Sequence, residues 1–208
     1  MVVIDHVTLE ATDTATAERF YAALGLDDRV RVAASTASSH GFRGFTLSLI
    51  VAQPGDADLI AAKAVEAGGA ELKPAKKSLW GYGGVVQAPD GTICTIASSS
   101  KKDDGPATGR IDEVVLQLGV ADVPASKDFY RDRGVGIAKS YGRKYVELDT
   151  SGIQVTLNKR DALAKVAGVP TDGSGSHRVA ISSDAGAFTD PEGFIWEPSA
   201  DVETGGAP

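Results

Sequence analysis

The chain reads as an α+β protein: two tandem βαβββ modules forming a curved mixed sheet, a cup with its helices outside. Three observations predict this. Strand-like alternation starts twice, at Ile4-Asp5-His6-Val7-Thr8-Leu9 and, 107 residues on, at Ile111-Asp112-Glu113-Val114-Val115-Leu116. A helix pattern follows each start, and Phe20-Tyr21 is echoed 109 residues later by Phe129-Tyr130. A proline-glycine turn, Ala88-Pro89-Asp90-Gly91, returns 102 residues later as Asp190-Pro191-Glu192-Gly193. Agreement of that kind indicates two copies of one unit, each with a single long amphipathic helix and a sheet polar on one face. Neither copy buries enough alone, so the two sheets are expected to pair.

In the first copy, Val2 to Glu10 is a strand with Ile4, His6 and Thr8 on one face and Val7 and Leu9 on the other. Asp13 or Thr14 caps the helix that follows. Ala17, Phe20, Tyr21 and Leu24 give that helix one apolar stripe, and Gly25 ends it. Arg31 to Ala34 and Phe42 to Val51 are the next strands. In the second of these Leu47, Leu49 and Val51 face the core while Thr46 and Ser48 face away. Ala57 to Ala67 is a further helix, stopped by Gly68-Gly69. A glycine-rich loop around Trp80 and Tyr82 leads to Val85-Val86-Gln87, the first turn, and the strand Ile93-Cys94-Thr95-Ile96.

Ser98 to Pro106 has the composition of a linker. The expected division is therefore a first module over 1–97, a linker over 98–109, a second module over 110–200 and a tail over 201–208. In the second copy, Pro124 to Arg133 is the helix, with proline in its first turn and Gly134 closing it. Tyr145 to Leu148 and Ile153 to Asn158 form a hairpin whose Gln154, Thr156 and Asn158 share one face. Asp161 to Ala167 is a short helix and His177 to Ser182 a strand. The second turn then leads to Phe194-Ile195-Trp196-Glu197.

Bulk properties bound the function. The chain has 208 residues, 42% hydrophobic and 24% charged, with a net charge of −7. An acidic balance argues against nucleic acid as a partner, since phosphate binding needs a basic face, and would suit a cationic or neutral ligand. One cysteine, Cys94, excludes an internal disulfide and a cysteine-cluster metal site. No apolar run reaches the ~20 residues of a membrane span, and no signal segment opens the chain, so the cytoplasm is the expected compartment.

The residues that carry a family likeness are now in place. His6 on the first strand, Phe20-Tyr21-Ala22-Ala23-Leu24-Gly25, Trp80-Gly81-Tyr82-Gly83-Gly84 before Pro89-Asp90-Gly91, and Asp190-Pro191-Glu192-Gly193 before Glu197 resemble the vicinal oxygen chelate superfamily. That group includes glyoxalases, bleomycin-resistance proteins and extradiol dioxygenases. The resemblance implies a site in the concave face. Its metal-dependent members take one ligand from the first strand and one carboxylate from the last strand of each module. By position this points to His6 and Thr95, then Glu113 and Glu197. Thr95 is not a carboxylate, and Glu113 stands where histidine or glutamine belongs.

Two functional readings follow. In one, the protein binds a small organic ligand with aromatic or cationic parts and needs no metal. His6, Thr46, Ser48, Thr95, Gln154 and Thr156 are then ligand-binding cup residues, joined by the aromatic residues Trp80, Tyr82 and Trp196. In the other, His6, Glu113 and Glu197 hold Fe, Mn, Zn or Ni in a lyase, isomerase or dioxygenase acting through an enediolate-like intermediate, with Glu197 or Glu113 moving the proton. His177 is a candidate second imidazole or partly exposed strand-end residue. The partner is a small molecule, with no membrane, and the chain acts as a monomer or homodimer. Lys76-Lys77 and Lys101-Lys102 read as solvated charge.

Overall fold

The structure is a computed structural model that describes residues 1–37, 40–79, 81–174 and 179–199. The chain opens with β1 (Val2–Ala11), α1 (Thr14–Ala23) and β2 (Val30–Ala34). A short β3 (His40–Gly41) precedes β4 (Phe45–Ile50), α2 (Pro54–Glu66), β5 (Ala70–Lys77), β6 (Tyr82–Gln87) and β7 (Ile93–Ser98). Next come β8 (Glu113–Val120), α3 (Val123–Asp132), β9 (Ile137–Tyr141), β10 (Tyr145–Leu148), β11 (Thr150–Ser151) and β12 (Gln154–Lys159). The last elements are α4 (Arg160–Ala167), β13 (Gly173–Ser174), β14 (Val179–Ser183), β15 (Phe188–Thr189) and β16 (Ile195–Pro198).

Local signals place the helices where they stand. The Asp13 carboxylate accepts from the Thr16 amide at 3.0 Å and starts α1, and Asp122 does the same for α3 through the Ala125 amide at 3.1 Å. Ala17, Phe20, Tyr21 and Leu24 are all buried, so the stripe of α1 is its packing face. The phenylalanine-tyrosine pair meets edge to face in both copies, with ring centroids 5.2 Å apart for Phe20–Tyr21 and 5.7 Å for Phe129–Tyr130.

Two tandem βαβββ units build one eight-stranded mixed sheet, ordered β5-β6-β7-β4-β8-β12-β10-β9. One unit is β4-α2-β5-β6-β7, the other β8-α3-β9-β10-β12. They join where β4 runs antiparallel to β8, with Thr46 opposite Gln117 and Ser48 opposite Val115. The stretches before and after these units, joined by the short β11 from within the second, form a six-stranded sheet in which β1 lies between β2 and β14, and β14 is followed by β16. Strand pairing thus divides residues 1–97 between the two sheets. It divides 110–200 in the same way. The echo of β1 in β8 marks two βα starts that end up in different sheets.

Most of the core lies between the sheets. Leu47, Leu49 and Ile96 from the large sheet, Val7, Leu9 and Ile181 from the small one, and the buried faces of α1, α2 and α3 make one apolar cluster. Two hydrogen bonds cross this core in opposite senses. Tyr21 on α1, beside the small sheet, donates to Asp90 in the turn between β6 and β7 of the large sheet at 3.0 Å. Tyr130 on α3, beside the large sheet, donates to Asp190 in the turn between β15 and β16 at 2.8 Å. Aligned on their prolines, the turns differ: Asp190 stands where the first turn has Ala88. Asp90 also takes the Arg43 guanidinium at 3.3 Å and the Thr92 hydroxyl.

Three expectations are corrected. A register shift between Ile4 and His6 turns Ile4 into the core with Val7 and Leu9, so Ile4 and His6 do not share a face. The segment read as a linker is bound to α2. Asp56 accepts from the amides of Thr108 and Gly109, Asp103 from that of Gly55, and Gln53 from that of Asp104. Finally, α4 does not lie outside. Leu163, Ala164 and Ala167 pack with Phe42, before β4, and with Val85 and Ile93, positions of β6 and β7 that face away from the main core.

The crossed bonds yield two expectations. Tyr130→Phe leaves a buried carboxylate oxygen short of its donor and should lose about 1.5–3 kcal/mol in urea unfolding. Tyr21→Phe should lose less, because Asp90 keeps Arg43 and Thr92. Burial raises the Asp190 pKa despite donation from Tyr130 and the Phe194 and Glu192 amides, with the Glu192 charge adding to the rise. The folded carboxyl then holds its proton at a pH where the unfolded one, at about 4, has lost it. Its contribution to stability therefore declines as pH rises through the raised value. Compared with Asp190→Asn, the wild type should lose relative stability on going upward from about pH 4, followed by chemical unfolding at several pH values. A difference constant with pH would contradict this.

Candidate functional site

The face of the large sheet opposite α2 and α3 is crossed by two rows of side chains. Lys139, Glu147, Thr156, Gln117 and Thr46 form one row from β9 to β4. The other runs from Gln154 through Val115, Ser48, Thr95 and Val85 to Lys73 on β5. Helix α4 lies on this face and covers part of it. Its C-terminal carbonyls are taken by the Lys73 ammonium, at 2.6 Å to Val166 and 3.2 Å to Lys165. At its other end Arg160 donates to the Phe42 carbonyl at 2.9 Å and lies over the Phe42 ring. An ammonium at a helix C-terminus satisfies carbonyls that have no intrahelical donor and opposes the negative end of the dipole.

Beside α4 remains a cavity of about 390 Å³. Ser48, Thr95 and Gln117 contribute polar groups to its lining, Val85 and Ala97 apolar wall, and Lys73 and Lys76 the cationic side. Thr46, fully buried, donates to Gln117 Oε1 at 2.9 Å, which leaves the Gln117 amide NH₂ as the end available to a ligand. Ser48 and Thr95 are 5% and 8% exposed as residues. Neither hydroxyl has a hydrogen-bond partner among the described residues. On the far half of the same face Gln154 donates to the Leu148 carbonyl at 2.6 Å, and Thr156 accepts from Asn158 at 3.0 Å. Tyr145 donates to Glu147 at 3.3 Å; burial and that carboxylate push its phenol up to about 12.

The other predicted residues lie elsewhere. His6 and Glu197 belong to the small sheet, where they flank Ser182 in one row. Burial, then Arg31, lowers the His6 pKa, against the opposing influence of Asp5 and Glu197, so the imidazole favours its neutral form. Glu113 is exposed at the start of β8 in the large sheet, opposite Ile50. The three groups suited to a metal are therefore split between two sheets. Among the described residues no three His, Cys, Asp or Glu side chains gather to hold one ion. The described residues do not fit a resident divalent metal. His177 and Trp80 lie outside the described residues.

Tyr82 borders the cavity, but its ring packs against the main core and its hydroxyl donates to Asp58 of α2 at 2.7 Å. Trp196 alternates with Glu197, is 1% exposed, and stacks on Phe188 at 5.1 Å. Both aromatic side chains serve packing, because their positions on the strands turn them toward the helices. Sequence reasoning missed Gln117, Lys73 and Lys76. Gln117 carried a signal, being the polar alternate between Leu116 and Leu118. The lysines carried none, since charge on an edge strand looks like ordinary solvated surface.

This architecture is a glyoxalase-like fold, as its similarity to solved structures shows. Glyoxalase I from Zea mays matches with a TM-score of 0.60 and 16% identity, over 94% of this chain and 91% of that one. A "putative dioxygenase" from Bacillus subtilis subsp. subtilis str. 168 matches with a TM-score of 0.56 and 11% identity, over 93% of this chain and 83% of that one. No protein-family model matches the chain, and no curated protein matches it in sequence. Among the described residues no helix is long and apolar enough to cross a membrane.

The pinning of α4 is open to test. Lys73→Met keeps the aliphatic stem but removes the ammonium. Hydrogen exchange should quicken in 160–169 and stay unchanged in β4 and β8, with a stability loss of about 0.5–1 kcal/mol.

Proposed function

We propose that the protein binds a small organic ligand in the cavity beside α4, and that binding does not depend on a metal held by His6, Glu113 and Glu197. The observation that carries this reading is the pair of neighbouring hydroxyls at Ser48 and Thr95, which line the cavity and have no hydrogen-bond partner among the described residues. A ligand that accepts from both hydroxyls exchanges their bonds to water for bonds to itself, with a modest net gain for each. The cavity has the size range of small-molecule sites, about 300–1,000 Å³, and combines apolar wall with a few polar groups. The fold is compatible with binders and enzymes alike, so the site decides.

Ala97 lines the cavity from β7, and Ala97→Phe fills it. A thermal-shift screen of small organic compounds should find ligands that raise the melting temperature of the wild type and not of Ala97→Phe. Binding should persist after dialysis against chelator. Protein purified without chelator that carries stoichiometric divalent metal, lost in both His6→Ala and Glu197→Ala, would overturn the metal-free reading in favour of a metal-dependent lyase, isomerase or dioxygenase.

A further inference from the structure

We infer that the ligand is a small organic anion with an apolar body, its carboxylate held by the Ser48 and Thr95 hydroxyls and the Gln117 amide, with its charge balanced by Lys73 and Lys76. This rests on the cavity reading above and gives it a chemical class.

Charge is the first argument. The chain as a whole carries −7, which suits a cation or a neutral compound. The cavity has the opposite character: among the described residues its lining includes Lys73 and Lys76 and no aspartate or glutamate. Local potential inside a partly enclosed, low-dielectric cleft governs recognition more than net charge does. Carboxylates do occur nearby, but Asp58 lies on α2 behind the sheet, engaged by the Tyr82 hydroxyl.

Donor geometry is the second. Ser48 and Thr95 are directly paired neighbours on β4 and β7, so their hydroxyls stand side by side. The Thr46 bond occupies the Gln117 carbonyl oxygen and leaves its NH₂ outward. Two hydroxyls and an amide NH₂ can each donate a hydrogen bond to one carboxylate, which has about four acceptor positions. Charge-assisted bonds of this kind are the stronger ones. Lys73 stands in the same cross-sheet row as Thr95 and Ser48, and Lys76 is exposed on the same edge strand.

The mouth supplies the third. Val166 lines the cavity and is 62% exposed, and Leu79, 77% exposed, sits between cavity-lining Ser78 and Gly81. The Leu79 carbonyl is held by Lys101 at 2.8 Å. Apolar side chains at an opening, with donors beneath them, suit a ligand whose hydrocarbon part points outward.

The test compares ligands of one shape and three charges. Benzoate, phenylacetate and hexanoate are titrated by calorimetry against their primary amides and the corresponding amines. The carboxylates should bind at least about tenfold more tightly than the amides, with the amines weakest. Raising salt should weaken the carboxylates alone. The double variant Ser48→Ala/Thr95→Val removes hydroxyls that make no bond among the described residues, so it should fold as the wild type does and lose about tenfold in carboxylate affinity. Lys76→Gln should lower carboxylate affinity and leave the amides unchanged. Amides or amines that bind as well as the carboxylates, and are blocked by Ala97→Phe, would overturn the anion inference while keeping the cavity. Absence of saturable, Ala97→Phe-sensitive binding across the whole panel would overturn both.

Discussion

Two tyrosine–aspartate hydrogen bonds, crossed between the sheets, hold the geometry on which the rest depends. Each begins on a helix attached to one sheet and ends in a turn of the other: Tyr21 to Asp90, Tyr130 to Asp190. The Asp90 side chain is wholly buried and Asp190 nearly so. Buried carboxylates left unpaired would be strongly unfavourable, so each constrains the approach of its partner helix. Burial keeps both phenols far above their ordinary pKa, and they remain donors. Around Tyr130 the constraint extends through aromatic contact with Trp196, whose indole also donates to the tyrosine hydroxyl.

That docking leaves the large sheet with one face free of the main core, and α4 uses it. The helix sits there because Leu163, Ala164 and Ala167 find apolar positions in Val85 and Ile93, while Lys73 and Arg160 fasten its two ends. What is left beside it is the cavity. Its shape therefore derives from a helix of eight residues, and its chemistry from strand positions that alternate with the core. With α4 in place, the cavity beside it has Ser48, Thr95 and Gln117 among its polar lining and Lys73 and Lys76 on its cationic side.

Much of the fold was legible because the signals are local and repeated. The Phe-Tyr pair, the proline-glycine turns and the helix caps each state a conformation within a few residues, and their recurrence disclosed two copies. The polar alternation of Thr46, Ser48, Thr95, Gln154 and Thr156 placed these residues on a common face of the large sheet. Less legible was which strand meets which. Val2 to Glu10 and Glu113 to Val120 look alike in sequence, yet β1 pairs with β14 and β2, and β8 with β4 and β12. Consequently His6 and Glu197 were expected beside Glu113, and a sheet boundary separates them.

By itself, then, the sequence determined the elements, the duplicated design and the polarity of each strand face, since these follow from residue spacing and turn chemistry. Tertiary structure decided strand partnership, the inward seat of α4 and the sign of charge around the cavity. The physical reason is distance along the chain. Lys73, Ser48, Thr95 and Gln117 come from four different strands, and the helix that encloses them starts more than forty residues past the last of these. No local pattern records that such groups will meet. Only the packing of β4 against β8, and of α4 over both, brings them to one site.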